Sequence, residues 1–440
     1  MRFRLSKQSL LLSAAQAAVT ALMLPSMASA ATPDPFYQYT GSTPLADIAP
    51  GTVLKSRTIS VYIAGIKTSM QATQLVYRST DAKLRPTSNV TTIFAPDCAK
   101  VSCANKNKVI SYQSFYDSLN PEDGPSRAYA GGKRLPDLLP AVETVLFGTY
   151  VKKGYTVVIS DTEGQGANFA AGPEYGYNTL DSIRATFNAP QIGLGRDAKV
   201  VMMGYSGGAI ATEWAAELAP SYAPDLKPNL IGAAFGGTLV SPEHNLTYVE
   251  GTPIWGGVLP MAVIGVSRSY DIDIQKYLTP RGLEVYNKMQ KASIAYVLGQ
   301  YSRVTWKDLV KPEFQDRTKI KEYVEAVNKV IMGTGGTPEI PLQIGQGTGG
   351  IWEGTKPSPV WGAGDGVMLA GDVRTLARQY CAQGVPVQHK EWGTSHFTTM
   401  LNWLPWATSW IDDRFAGKAA PQNCSSIAVG NPLTPLVYKP

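Results

Sequence analysis

Histidine is nearly absent from this chain, with three in 440 residues. Any chemistry that needs an imidazole must use His244, His389 or His396. Cysteine is almost as scarce, at four, and no two are spaced C-x-x-C. Without clustered histidines or paired thiols, no metal site is expected. There is no P-loop. Gly164-Gln165-Gly166 follows a strand-like run but lacks the third glycine and opening helix of a dinucleotide site. No cofactor is therefore expected. Charge is sparse, at 17% of residues, and the basic residues are scattered, which argues against a nucleic-acid partner. Long apolar runs are missing too, apart from Leu10 to Leu24. That run is short for a bilayer span and ends at Pro25, so no transmembrane anchor is expected.

The same run carries the marks of an export signal. Arg2, Arg4 and Lys7 precede it, and Ala28-Ser29-Ala30 supplies a small-residue cleavage site. Residues 1–30 are thus expected to be removed, leaving a secreted or periplasmic chain. Its formal charge falls from +6 to +3 with the loss of those three basic residues. In an oxidising compartment an even cysteine count implies disulfides. Cys98 and Cys103 lie in one loop, close enough to pair. Cys381 and Cys424 then remain as a second bridge that pins the C-terminal tail.

From Thr58 to Ala95 apolar and polar residues alternate, as in antiparallel strands at Ser60–Ile63, Gln74–Tyr77 and Val90–Phe94. Strand-like and helix-like segments alternate after that. The strands are Lys108–Tyr112, Tyr155–Ser160, Lys199–Met203 and Leu230–Phe235. The helices are Leu138–Lys153, Asn178–Asn188 and Gly207–Leu218. This is the pattern of an α/β protein with a mostly parallel sheet covered on both faces. The alternation stops near Val240. Residues 241–339 are mostly helical in period, and a strand resumes at Ile340–Ile344. A helix at Asp372–Cys381, a strand at Val385–Trp392 and a last helix at Phe397–Phe415 complete the chain. The expected division is a core of 31–240 and 340–440 with a helical cap of 241–339 inserted between them.

Gly204-Tyr205-Ser206-Gly207-Gly208 lies between the apolar run Val200–Met203 and the small-residue helix that follows. A G-x-S-x-G between strand and helix reads as a nucleophile elbow, with Ser206 at its apex and glycines where the chain crowds. Attack on an acyl carbonyl also needs a base, an acid to orient it, and donors for the oxyanion. His244 reads as a solvated loop residue, and His389 lies inside the last strand. His396, in the loop between the last strand and last helix, is the expected base. Three carboxylates could serve as the acid. Glu353 sits in a Gly/Pro-rich loop and reads as solvated. Asp372 opens a helix and reads as its N-cap. Asp365, in Gly364-Asp365-Gly366-Val367-Met368, is the favoured candidate. The N–H of Gly207 is the first oxyanion donor. The second should come from the loop Gln113–Ser118, where spacing alone selects no residue. The apolar run Ile254 to Val266 reads as a buried cap helix or as an acyl-chain groove.

Several segments together resemble the secretory lipases typified by Candida antarctica lipase A, members of the α/β-hydrolase superfamily. They include Pro50–Arg57, Gln74–Thr80, Tyr112-Gln113 with Tyr116-Asp117-Ser118, the long stretch Gly204 to Gly237, and the ending around Asp412 to Gly417. The resemblance implies a lipid or ester substrate, met at a lipid–water interface, and a triad of Ser206, Asp365 and His396. It implies that Asp117 lines the oxyanion hole beside Gly207, by its backbone N–H and, if protonated, by its side chain. It also implies a Cys381–Cys424 bridge. Gly349 to Gly364 reads as an insertion relative to the family, and Cys98 and Cys103 depart from the fungal pairing. A short-chain esterase or an exported peptidase of the same fold would use the same machinery. A non-catalytic binding protein on this scaffold would be expected to have lost a triad residue.

Overall fold

A computed structural model describes residues 34–440; the proposed export signal lies outside them. Nine strands form one sheet in the order β1-β2-β3-β5-β4-β6-β7-β8-β9. The first three are Val53–Ile63, Ile66–Thr80 and Pro86–Phe94 (β1–β3), and they pair antiparallel. Lys108–Gln113, Thr156–Ser160, Lys199–Tyr205, Leu230–Gly236, Leu342–Gly347 and Val387–Trp392 follow as β4–β9. From β5 across to β9 all neighbours are parallel. β5 and β8 are buried along their whole length, as expected of parallel strands covered on both faces.

Helices of eight or more residues are numbered α1–α9: Leu138–Lys152, Gly172–Phe187, Gly207–Tyr222, Pro242–Val249, Val258–Ser269, Pro280–Met289, Lys321–Asn328, Ala370–Ala382 and His396–Phe415. α2, α3 and α8 pack on one face of the sheet. α1 and α9 pack on the other, around Phe147, Tyr150, Trp403 and Trp410. Between β7 and β8 the described elements are all helical. They have an apolar core of their own around Trp255, Leu259, Met289 and Trp306.

Two elements differ from the sequence reading. α2 begins at Gly172, six residues before the expected Asn178, because Pro173 sits in its first turn, where a missing N–H costs nothing. The β1–β2 hairpin turns at Ala64-Gly65, both with positive φ (51° and 74°), a tight turn that apolar alternation alone does not reveal. Both disulfides are formed, Cys98–Cys103 and Cys381–Cys424.

Candidate active site

The site is assembled at the C-terminal ends of β4, β6 and β8 and the N-terminal ends of α3 and α9. β6 runs straight into α3 through Ser206, whose φ of 55° and ψ of −122° lie outside the regions open to ordinary residues. Such strain persists only where the surroundings hold it. Here Ser206 N–H donates to Gly236 O at 2.9 Å. The flanking glycines are required by contact. A Cβ at Gly204 would strike the Gly208 carbonyl, and one at Gly208 would strike Gln113 O. A Cβ at Gly207 would collide with Asp117 Oδ1.

His396 stands at the start of α9. Its Nε2 lies 2.8 Å from Ser206 Oγ and its Nδ1 2.7 Å from Asp365 Oδ2. With the Nδ1 proton on the Asp365 side, the Nε2 lone pair faces the serine hydroxyl. The imidazole is held further by its backbone, since His396 N–H donates to Asp365 O at 2.7 Å. Tyr205 OH donates to His396 O at 2.6 Å. Asp365 is fully buried, and its other carboxylate oxygen accepts from the Val367 and Met368 N–H groups at 3.1 and 2.8 Å. Burial alone would depress the His396 pKa. The charge and hydrogen bond of Asp365, with Glu353 and Asp117 beyond it, raise it above the ordinary value instead.

The other two carboxylates are also buried, contrary to the sequence reading of Glu353. The loop after β8 folds back on itself through Gly350 N–H to Gly364 O at 2.8 Å, which turns Glu353 inward. Glu353 accepts from Trp255 Nε1 and from Phe397 N–H, each at 2.9 Å. Asp372 is not the N-cap of α8, a place taken by Leu369. It faces His244 Nδ1 at 3.0 Å and accepts from Asn431 Nδ2 at 2.7 Å. His244 is not solvated either. It lies in α4, buried and stacked on Trp361 at 3.6 Å. His389 is buried in β9, and burial lowers its pKa. Of the three histidines, only His396 contacts the serine.

Asp117 sits beside Gly207 with φ of 33°, in the left-handed region. Its carboxyl is buried, which pushes its pKa up to about 7 against the pull of the His396 charge. Gly207 occupies the first turn of α3, where N–H groups lack partners within the helix. The loop bearing Asp117 is clasped by two buried carboxyls that no sequence motif singles out. Glu143 of α1 accepts from Phe115 N–H at 2.6 Å, and Glu163 accepts from Ser118 N–H at 3.0 Å. Ile294 N–H, from the segment between β7 and β8, donates to Asp117 O at 2.8 Å. Ser118 pairs with Ser293 as an isolated bridge.

Ser206 opens on an apolar pocket lined by Phe169, Ile210, Leu246, Val249, Val258 and Met368. α5, from the apolar run singled out in the sequence, forms one wall, so that run is both buried and pocket-lining. The Trp255 ring meets His396 edge-to-face at 5.2 Å. Such a site suits an acyl group with a long apolar chain better than a charged substrate.

The model of the family described as "Secretory lipase" matches residues 133–423. The chain belongs to the secretory lipase family. Lipase 6 of Candida albicans is 32% identical, over 80% of this chain and 74% of that protein. A secreted triacylglycerol lipase of Malassezia globosa is 30% identical, over 87% of this chain and 80% of its own length. The closed state of Candida antarctica lipase A superposes with a TM-score of 0.77 at 28% identity, covering 91% of each chain. The rice cell wall degrading esterase LipA of Xanthomonas oryzae, at 15% identity and a TM-score of 0.62, shares the fold. This lipase is therefore a secreted ester hydrolase with the α/β-hydrolase fold. Among its described residues no helix is long and apolar enough to cross a membrane. No group of three His, Cys, Asp or Glu side chains there is placed to hold a metal ion.

Proposed function

We propose that this lipase cleaves long-chain acyl esters, triacylglycerol among them, through an acyl-enzyme on Ser206. The observation that carries the reading is the hydrogen-bonded chain Asp365–His396–Ser206, ending at an apolar cavity. His396 takes the Ser206 proton as Oγ attacks the ester carbonyl. Asp365 holds the tautomer and stabilises the imidazolium. The oxyanion is received by the Gly207 N–H and by Asp117, through its backbone N–H and its protonated carboxyl. His396 then returns the proton to the leaving alcohol. Water, activated by the same imidazole, releases the acid. Residues 241–339 act as a cap whose α4 and α5 wall the acyl chain.

Triacylglycerol is the substrate class in the name of the Malassezia globosa relative, and the apolar lining fits it. Ser206→Ala should lower turnover on the order of 10⁶-fold, as expected when a triad acts as a unit. Retention of most of the activity on a p-nitrophenyl ester would overturn the mechanism. A chain-length series from butyrate to oleate, with emulsified triolein, tests the substrate class. A rate confined to the short soluble esters would make the enzyme a short-chain esterase.

A further inference from the structure

Surface helices of soluble proteins usually turn a polar, charged side to water. α6 does so, with Arg281, Glu284 and Lys288 joined in exposed ion pairs. α1 does not. Its exposed positions include Leu138, Val142, Val145 and Thr149, spaced as one stripe that meets a charge only at Lys152 in the last turn. Val142 is 47% and Val145 59% exposed. Between Leu138 and Val151 the one charged side chain is Glu143, and it is turned inward and fully buried.

α9 repeats the pattern. No Lys, Arg, Asp or Glu occurs from Gly393 to Ile411, and His396 is buried. Phe397 and Leu401 are exposed on its first turns. The two helices cover one sheet face, α1 over β1, β4 and β5 and α9 over β6, β7 and β8. Their C-terminal ends are tied together, Tyr155 against Phe415 at 5.3 Å and Lys153 to Asp412 at 3.2 Å. α1 leads into β5 and α9 starts at His396, so both helices have their N-terminal ends toward the sheet edge that carries the site. Phe397 follows His396 directly and stacks on Trp255 at 5.2 Å. Trp352 is 78% exposed and directly precedes the Glu353 that binds the Phe397 N–H.

We propose that this uncharged face, made by Leu138 to Thr149 of α1 and the first turns of α9, is where the enzyme lies on the surface of a neutral lipid aggregate. The inference rests on the lipase reading above, and it adds the surface and the sign of lipid it fits. An apolar face without charge of either sign gains from burial in an uncharged interface. It offers nothing to the anionic headgroups that recruit basic patches. It adjoins His396, so docking would present the site to the lipid.

The test uses the mature chain carrying Ser206→Ala, so that lipid is bound and not consumed. Flotation on a triolein emulsion is compared with flotation on vesicles rich in phosphatidylglycerol. Val142→Asp/Val145→Asp, and separately Leu401→Asp, should lower partition onto triolein about tenfold or more. With Ser206 restored, both variants should hydrolyse a soluble butyrate ester at the parent rate, which also reports that they fold. Unchanged partition in both variants would overturn the proposal. So would binding that needs anionic lipid and is abolished by salt. So would sedimentation showing a dimer that Val142→Asp/Val145→Asp splits, because the face would then serve a second copy of the chain. If lipid binding depends on these residues but emulsified long-chain esters are not cleaved, the docking face stands and the lipase reading fails. If emulsion hydrolysis survives the substitutions, the reading stands and the face is elsewhere.

Discussion

Replacing Asp117 with asparagine should abolish the fall in activity above neutral pH. Burial raises this carboxyl from 3.8 to about 7. The folded pKa is the higher one, so the proton is held below about pH 7 and lost as the pH climbs through it. In the proposed mechanism a protonated Asp117 donates to the oxyanion, whereas an ionised one would place a like charge beside it. His396 has the opposite requirement. It must be neutral to accept the serine proton, and Asp365 raises its pKa above the usual 6.5 against the effect of burial. Activity therefore rises as His396 loses its proton and falls as Asp117 loses its own. The two limbs belong to a coupled pair of groups and are read as macroscopic values.

The size of the effect follows from the titration. One pH unit above its pKa, about a tenth of the molecules keep the Asp117 proton. Asparagine keeps a donor of the same shape and does not titrate. At pH 8, relative to pH 6, Asp117→Asn should outpace the parent by about tenfold. Asp117→Ala should lose the side-chain donor at every pH, at a cost of about 10²–10³ in kcat. A pH-stat series of kcat/KM on a soluble butyrate ester from pH 5 to 9 measures both. A descending limb unchanged in Asp117→Asn, or an alanine variant close to the parent, would refute the side chain as a donor.

Other consequences can be checked in the same preparations. Glu353→Gln removes a buried negative charge that faces His396. The ascending limb of the pH profile should move to lower pH by about one unit or less, a shift that a merely structural role would not produce. Burial raises Glu143 to about 8, Asp117 and Glu174 to about 7, and Asp123, Asp161 and Asp181 to about 6. Between pH 4 and 8 the folded chain thus holds protons that the unfolded chain has released, so stability falls as pH rises. The thermal midpoint should be higher at pH 5 than at pH 8, and an opposite trend would show that these groups do not dominate. The Cys381–Cys424 bridge joins residues 43 apart. Cys381→Ser should cost about 4 kcal/mol, read as a lower denaturation midpoint under non-reducing conditions.

The sheet was readable because its strands have distinct local patterns. Val157 to Ile159 is apolar throughout and becomes a strand buried on both faces, while the segment around Gln74–Tyr77 becomes an antiparallel strand that is buried there on both faces as well, its polar Gln74 included. Ser206 announces itself by its glycines, and His396 by the scarcity of histidine. The carboxylates were harder, for a physical reason. Glu353, Asp365 and Asp372 fall within one stretch after β8, and all three are buried. What distinguishes them is the partner each meets. Asp365 meets a histidine 31 residues on, Asp372 one 128 residues back, and Glu353 a tryptophan 98 residues back. Local sequence holds no record of such meetings. Glu143 and Glu163 were invisible for the same reason, since each looks like a surface acid until the loop it holds is seen.

The strand-like bridge between Ser118 and Ser293, with Ile294 bonded to the Asp117 carbonyl, bears on how a substrate gets in. The helical segment between β7 and β8 is thereby fastened to the loop proposed to stabilise charge during reaction. Were this edge to swing away, the backbone around Asp117 would lose its brace, and an opened enzyme would be a disarmed one. In the proposed mechanism a productive entrance would lie on another side of that helical segment, leaving this seam closed. Admission of the ester and assembly of the catalyst would then be separable, and substitutions at Ser293 would damage the chemistry without touching the door.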